Sequence, residues 1–293
     1  MTNKARPNWL DENEYPFKDH YFSTPYGDMH YVDEGTGDPI VFVHGNLSWS
    51  FEARNVIKAL SGQYRCIAVD YLGLGLSDKP ADYSYLPEDL AKHLEALLES
   101  LNLQRITMVV ADWGGPIGLS YAIRHPEKIK SIVITNSWLW SLKKELYYQA
   151  FSGFMGGPVG RWLNAEKNFF AKNMGLLLGD KSKLTPNIHK HYVEQFPTPA
   201  ERKSTWVFPE QIIGASDWLE SMWNQRHVLN DKIALIAWGE KDIAMRAPQL
   251  QTWMREFPKA RVMRFPNSAH YIVEENPAEL AEAIKNLNSN QSK

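Results

Sequence analysis

Val109-Val110-Ala111-Asp112-Trp113-Gly114-Gly115 carries a run of strand-forming apolar residues straight into an acidic residue, an aromatic ring and two glycines that open a helix. This is the sequence form of a nucleophile elbow, in which a sharp turn lifts one side chain clear of a sheet edge above a helix N-terminus. The free N–H groups of such a helix favour an anion at the turn. The usual form of the turn is Gly-x-Ser-x-Gly; here an aspartate takes the nucleophile's place and Val110 stands where the first glycine is common. A carboxylate, with a reference pKa near ~3.9, is already ionised at neutral pH and attacks an sp³ carbon with no base to activate it. The resulting ester must be cleaved by water, and that water does need a base. The competing reading, an aspartate that merely caps the next helix, asks nothing further of the chain.

Outward from this stretch, further short apolar runs alternate with helical patterns: Ile40-Val41-Phe42-Val43, Cys66-Ile67-Ala68-Val69, Ile106 to Val110, Ile132-Val133-Ile134-Thr135 and Ile233 to Ala237. Continuous apolar strands separated by helices predict a parallel sheet covered on both faces. Residues 18–34, with Thr24-Pro25-Tyr26-Gly27-Asp28 at their centre, suit an antiparallel hairpin at its edge. A helix is expected over 87–101, where Pro87, Glu88 and Asp89 precede leucines at helical spacing, and another over about 277–288. From 138 to 227 the character changes to short aromatic helices broken by Pro186, Pro197, Pro199 and Pro209, with six of the eleven tryptophans. The expected organisation is one core, 1–137 with 228–293, and a helical cap, 138–227, inserted after the sixth strand.

The composition closes off several functions. With 293 residues, 44% of them hydrophobic and 23% charged, the chain has material for a sizeable core. Thirty-two basic against 34 acidic residues leave a net charge of −2, which gives no drive toward nucleic acid or an anionic membrane. A single cysteine, Cys66, and no apolar signal segment near the start point to a reducing cytoplasm. No apolar run approaches the ~18 residues that span a bilayer.

Three further motifs supply what the ester would need. Ser268-Ala269-His270 follows the expected eighth strand, Arg261 to Phe265, and histidine is the side chain suited to proton abstraction near neutrality. Trp238-Gly239-Glu240-Lys241-Asp242 follows the seventh strand; either acid there can hold the histidine's second ring nitrogen, and the Gly-x-x-Asp spacing favours Asp242. The order Asp112, Asp242, His270 is the chain order of nucleophile, acid and base in α/β-hydrolase folds. Val43-His44-Gly45-Asn46 ends the third strand, where the residue after His-Gly offers a backbone N–H to an oxyanion hole, paired with that of Trp113. The Asn46 amide and the Trp113 indole add two side-chain donors that suit a departing halide.

With these motifs together the chain resembles a haloalkane dehalogenase of the α/β-hydrolase superfamily, specifically the subgroup with an Asn–Trp halide site and its acid after strand seven. The resemblance extends to Asp70-Tyr71-Leu72-Gly73-Leu74-Gly75-Leu76-Ser77, similar to the family's Asp-x-x-Gly-x-Gly-x-Ser turn. It implies an eight-stranded, mostly parallel sheet, Asp112 as nucleophile, His270 as base, Asp242 as its orienter, and Asn46 with Trp113 holding halide. It implies a small apolar haloalkane and water as reactants, and neither metal nor organic cofactor. Lid segments similar to pocket-forming ones place Tyr148, Phe170, Phe208, Ile212 and Tyr271 around an apolar cavity. One departure stands out: the family usually has proline after this asparagine, and here it is Leu47. A cis bond is cheap only before proline, so a turn that depended on one would aim Asn46 differently.

Two rivals share parts of the machinery. An epoxide hydrolase has the same Asp-Trp-Gly-Gly but normally His-Gly-x-Pro and two lid tyrosines, for which Tyr147, Tyr148 and Tyr192 are available. Coelenterazine luciferases resemble dehalogenases too, but place the acid after strand six, where this chain has Asn136. A non-catalytic receptor on the same fold has no need of nucleophile, base and acid together.

Overall fold

The computed structural model describes residues 4–290. Its eight strands are β1 (His20–Thr24), β2 (Gly27–Glu34), β3 (Pro39–Val43), β4 (Arg65–Val69), β5 (Ile106–Asp112), β6 (Ile129–Ser137), β7 (Ile233–Gly239) and β8 (Arg261–Phe265). They form one sheet in the order β1-β2-β4-β3-β5-β6-β7-β8. β1 and β2 make an antiparallel hairpin, β2 pairs antiparallel with β4, and every pair from β4 to β8 is parallel. The central strands are buried along their length, β3 entirely and β5 up to Ala111, because helices cover both faces.

The helices are α1 (Arg54–Leu60), α2 (Pro87–Ser100), α3 (Gly114–Arg124), α4 (Leu146–Met155), α5 (Pro158–Lys167), α6 (Phe169–Lys172), α7 (Pro186–Glu194), α8 (Lys203–Gly214), α9 (Ser216–Asn224), α10 (Ala247–Glu256), α11 (Ile272–Glu275) and α12 (Pro277–Asn290). α2 starts on Pro87 and buries Leu90, Leu94, Leu97 and Leu98 on one face, as its spacing requires. α4 to α9 all fall between β6 and β7, and Pro186 opens α7 at a position where its missing N–H costs nothing. Pro209 lies inside α8.

The edge hairpin is tied to the interior by buried charge. His30, fully buried in β2, bridges Asp70 (2.8 Å) and Asp19 (3.2 Å), and Asp19 in turn accepts from Arg6 at 2.7 and 2.8 Å. Asp70 also accepts from the backbone of Ser50 (2.7 Å) and Leu76 (2.9 Å), which fixes the Asp70–Ser77 turn beneath the site. Burial raises the Asp70 carboxyl, but His30 and these N–H groups outweigh it and hold it below its ordinary value. Among the described residues no helix is long and apolar enough to cross a membrane.

Candidate active site

β3, β5, β6 and β7 all end at one edge of the sheet, and the residues just past those ends meet there. Asp112 closes β5 with φ at +47°, a left-handed conformation that a residue with a Cβ adopts only where the surroundings enforce it. Enforcement comes from both sides. The Ser137 hydroxyl donates to the Asp112 carbonyl at 2.6 Å. On α3, a Cβ at Gly114 would sit 1.9 Å from the Val43 carbonyl oxygen, so only glycine lets the helix start this close to β3. Gly45 is required for the same reason: its Cβ would fall 2.3 Å from the Cβ of Asp112.

The carboxylate is anchored by one oxygen. The Asn46 N–H donates to Asp112 Oδ2 at 2.8 Å, while Oδ1 stands 3.8 Å from His270 Nε2, beyond hydrogen-bond reach. Burial raises the Asp112 pKa above its ordinary value, against the pull of His270 and the N–H groups of Asn46 and Trp113. His270 Nδ1 lies 2.8 Å from Asp242 Oδ2. Burial opposes a charge on the imidazole, but the carboxylates of Asp242 and Asp112 outweigh it and raise its pKa to about 9. Glu240, the other acid of the loop, points to solvent and pairs with Arg264 at 3.0 Å, which leaves Asp242 as the histidine's partner.

Two residues that sequence reasoning passed over complete the arrangement. Asn136, which stands after strand six without a charge, donates Nδ2 to Asp242 Oδ2 at 2.7 Å and exchanges hydrogen bonds with the Gly239 backbone (2.8 and 3.2 Å). Its signal in the sequence was its place at the end of β6, level with the other strand ends. Glu52 is buried in the short helical turn Ser50–Ala53 that follows β3 and accepts only from the Ser48 hydroxyl, with no cation in salt-bridge range among the described residues. Burial pushes its pKa up to about 7. The neighbouring Glu274 is different: Arg54 grips it at 2.6 and 2.7 Å, and Tyr192 donates to it at 2.6 Å.

Leu47 occupies the turn in a way proline could not. Among the described residues no peptide bond is cis, and Leu47 has φ at +49°. Its N–H donates to Asn46 Oδ1 at 2.9 Å and its carbonyl accepts from Gln195 at 2.9 Å. The bond to Oδ1 sets the orientation of the Asn46 amide, so the lost proline is replaced by a left-handed residue with a usable N–H. Neither Asn46 Nδ2 nor Trp113 Nε1 finds an acceptor among the described residues, and both residues line the cavity above Asp112.

That cavity has a volume of about 250 Å³ and a mostly apolar wall, whose polar residues are Asp112, His270, Asn46, Trp113, Asn173, Tyr147, Tyr148 and Tyr271. Of the lid residues expected around it, Tyr148, Phe170, Ile212 and Tyr271 are on its wall. Phe208 is not. On α8 it lies about 100° around the helix from Pro209, which does line the cavity, and packs behind Trp113 with ring centroids 5.6 Å apart. The wall also includes Leu47, Phe151, Leu177 and Met245, which no motif marked. All three tyrosines available to an epoxide hydrolase are committed: Tyr147 to the Ile243 carbonyl (2.8 Å), Tyr148 to that of Ala244 (2.8 Å), and Tyr192 to Glu274.

The family model described as "alpha/beta hydrolase fold" matches residues 38–277. Haloalkane dehalogenase 2 of Mycobacterium tuberculosis is 34% identical over 94% of this chain and 96% of its own length. Cis-3-alkyl-4-alkyloxetan-2-one decarboxylase of Shewanella oneidensis is 38% identical over 93% of this chain and 88% of its own. Among solved structures, haloalkane dehalogenase DatA from Agrobacterium tumefaciens C58 superposes with a TM-score of 0.82, covering 93% of this chain and 96% of that one at 24% identity, a likeness of fold.

Proposed function

The chain belongs to the α/β-hydrolase fold family and, within it, to the haloalkane dehalogenases, and from that membership we propose that it hydrolyses apolar haloalkanes to alcohol and halide through an ester on Asp112. Asp112 Oδ1 attacks the carbon that bears the halogen, the C–O bond forms as the carbon–halogen bond breaks, and the halide leaves onto the side-chain N–H groups of Asn46 and Trp113. His270, oriented by Asp242, then takes a proton from water as that water attacks the ester carbonyl. The N–H groups of Asn46 and Trp113 face the carbonyl oxygen that gains charge. Alcohol departs and Asp112 is free again. In this reading residues 138–227 are the lid that keeps water from the first step, over a core of 1–137 and 228–293, and the protein works in the cytoplasm.

The observation that carries the proposal is the placement of one carboxylate, pinned by a backbone N–H on one oxygen and with its other facing His270, at the floor of an apolar cavity. The test is halide release from a panel of bromo- and chloroalkanes, with His270→Gln alongside. Turnover by the parent and a stoichiometric alkyl adduct on Asp112 in the variant are expected; no halide and no adduct would overturn the reading.

The 38% identity to a decarboxylase of oxetan-2-ones supports a second reading. Attack of Asp112 on the ring carbon bonded to oxygen breaks that C–O bond and leaves a carboxylate where halide would leave. Loss of carbon dioxide then expels Asp112 and forms an alkene, with no water consumed. The same variant separates the two: His270→Gln abolishes alcohol formation but spares alkene formation from a cis-dialkyl oxetanone.

A further inference from the structure

Gln195, at the C-terminal end of α7 and buried, reaches out of the segment inserted between β6 and β7 into two turns of the core at once. Its Oε1 accepts from the Gly75 N–H at 2.7 Å, and its Nε2 donates to the Leu47 carbonyl at 2.9 Å and to that of Tyr192 at 3.2 Å. The same two turns are already joined once from the sheet, because Asp70 takes the N–H groups of Ser50 and Leu76. A core carboxylate therefore holds one end of the turn after β3, and an amide from the inserted segment holds the other. An amide suits that place: the Gly75 N–H needs an acceptor and the Leu47 carbonyl a donor, and glutamine carries both on one plane. α7 is seated firmly enough to serve as an anchor. His191 stacks on Phe51 with ring centroids 4.3 Å apart, and Tyr192 donates to Glu274, which Arg54 grips from the other side.

What Gln195 holds in the turn is the residue that decides where Asn46 points. Leu47 sits at φ +49°, which a side chain with a Cβ adopts at a cost, so its surroundings must keep it there. Both of its backbone groups are tied, the carbonyl to Gln195 and the N–H to Asn46 Oδ1. With Oδ1 taken, Nδ2 is the free end of an amide that lines the cavity. A Leu47 relaxed to negative φ would swing its N–H away from Oδ1, and the amide could then turn its oxygen inward, where it repels an anion. We propose that Gln195 is a positioning residue for the leaving halide: by fixing Leu47 it aims the Asn46 amide, and it makes halide binding depend on the seating of α7. This rests on the dehalogenase reading and deepens it, since the halide site is then not completed by the core alone.

Gln195→Met fills about the same space and removes all three bonds. Tryptophan-fluorescence titration with sodium bromide at constant ionic strength should show binding about tenfold weaker than in the parent, the order expected for one hydrogen bond to a charged group. The kcat/KM for chlorobutane falls by a similar factor, whereas ester hydrolysis in a single turnover keeps the parental rate, because His270 and Asp242 are untouched. In an Asn46→Ala background the substitution adds nothing to the loss of bromide binding, as no amide is left to aim. Gln195→Glu at pH 8 keeps an acceptor for Gly75 and, ionised, offers Leu47 no donor; it repeats the loss should the methionine variant not fold. Parental bromide affinity in either folded variant, or losses that simply multiply with that of Asn46→Ala, would overturn the proposal and leave the dehalogenase reading intact, Gln195 being then a tie of stability alone. A parent that neither binds bromide nor releases halide overturns both.

Discussion

Asn136 and His270 converge on a single oxygen of Asp242, at 2.7 and 2.8 Å, so the acid is held from the β6 side as firmly as it holds the histidine. Asn136 also links β6 to Gly239, the last residue of β7 before the loop that carries Asp242, through both of its backbone groups. Asn136→Leu deletes these bonds in a fully buried place and leaves the Gly239 N–H without its acceptor. A stability loss of about 1–3 kcal/mol is expected in denaturant titration. Ester hydrolysis should slow by roughly tenfold or more as the imidazole loses its fixed orientation, while the alkylation step, followed by single-turnover halide release, is spared.

The two unpaired side-chain donors on the cavity wall separate binding of the leaving group from everything else. Trp113→Phe keeps an aromatic ring against Trp138, which packs on Trp113 at 4.7 Å, and removes the indole N–H with the smaller ring that carries it. Asn46→Ala keeps the backbone N–H that reaches Asp112. Loss of one preorganised donor at developing charge costs about a hundredfold in kcat, so each variant should lose roughly that factor in halide release from chloroalkanes, and less from iodoalkanes, whose leaving group needs less help. Tryptophan-fluorescence titration with bromide should report weaker binding in Asn46→Ala.

In the resting protein His270, with its pKa raised to about 9, is an imidazolium near neutrality, yet the second step of the proposed reaction needs it neutral. Asp112 resolves this. Its negative charge is one of the causes of the raised pKa, and the ester is uncharged, so alkylation lowers the histidine's affinity for its proton at the moment a base is wanted. A burst of about one proton per site, concurrent with halide release and seen with an indicator dye in weak buffer near pH 8, is the expected signature. His270→Gln should form the adduct without the burst.

Glu52 gives a stability prediction of definite sign. Its folded pKa of about 7 lies above its ordinary value of 4.5, so the folded state binds more protons than the unfolded one between these limits, and stability falls as pH rises from about 4.5 through 7. Above pH 7 the full penalty stands, on the order of 3–4 kcal/mol. Glu52→Gln keeps the partner for Ser48 and cannot ionise. It should therefore raise the melting temperature at pH 8 and leave it nearly unchanged at pH 5.

The sheet and most of the polar side chains that meet at its strand ends were legible in the sequence because each rests on a local pattern. Apolar runs mark β3 to β7, and Asp112, His270, Asp242 and Asn46 each follow a strand within a few residues. What escaped depends on contacts between distant segments. Asn136 was visible as a residue of the wrong charge for an acid, but its partner lies 106 positions away. Phe208 and Ile212 look alike as apolar residues of one helix, and only the rotation of α8 against Trp113 decides which faces the cavity. Leu47 looked like a defect in a proline turn until its φ and its N–H were in view.

The distances along the chain carry a consequence for how the molecule comes into being. Asn46 reaches Asp112 across 66 residues and Asp242 meets Asn136 across 106, while the helices close over three or four. Non-local pairings of this kind must await loop closures that entropy makes slow. After dilution from denaturant, far-ultraviolet ellipticity will therefore return well before turnover does, and the interval between them times the assembly of the strand ends.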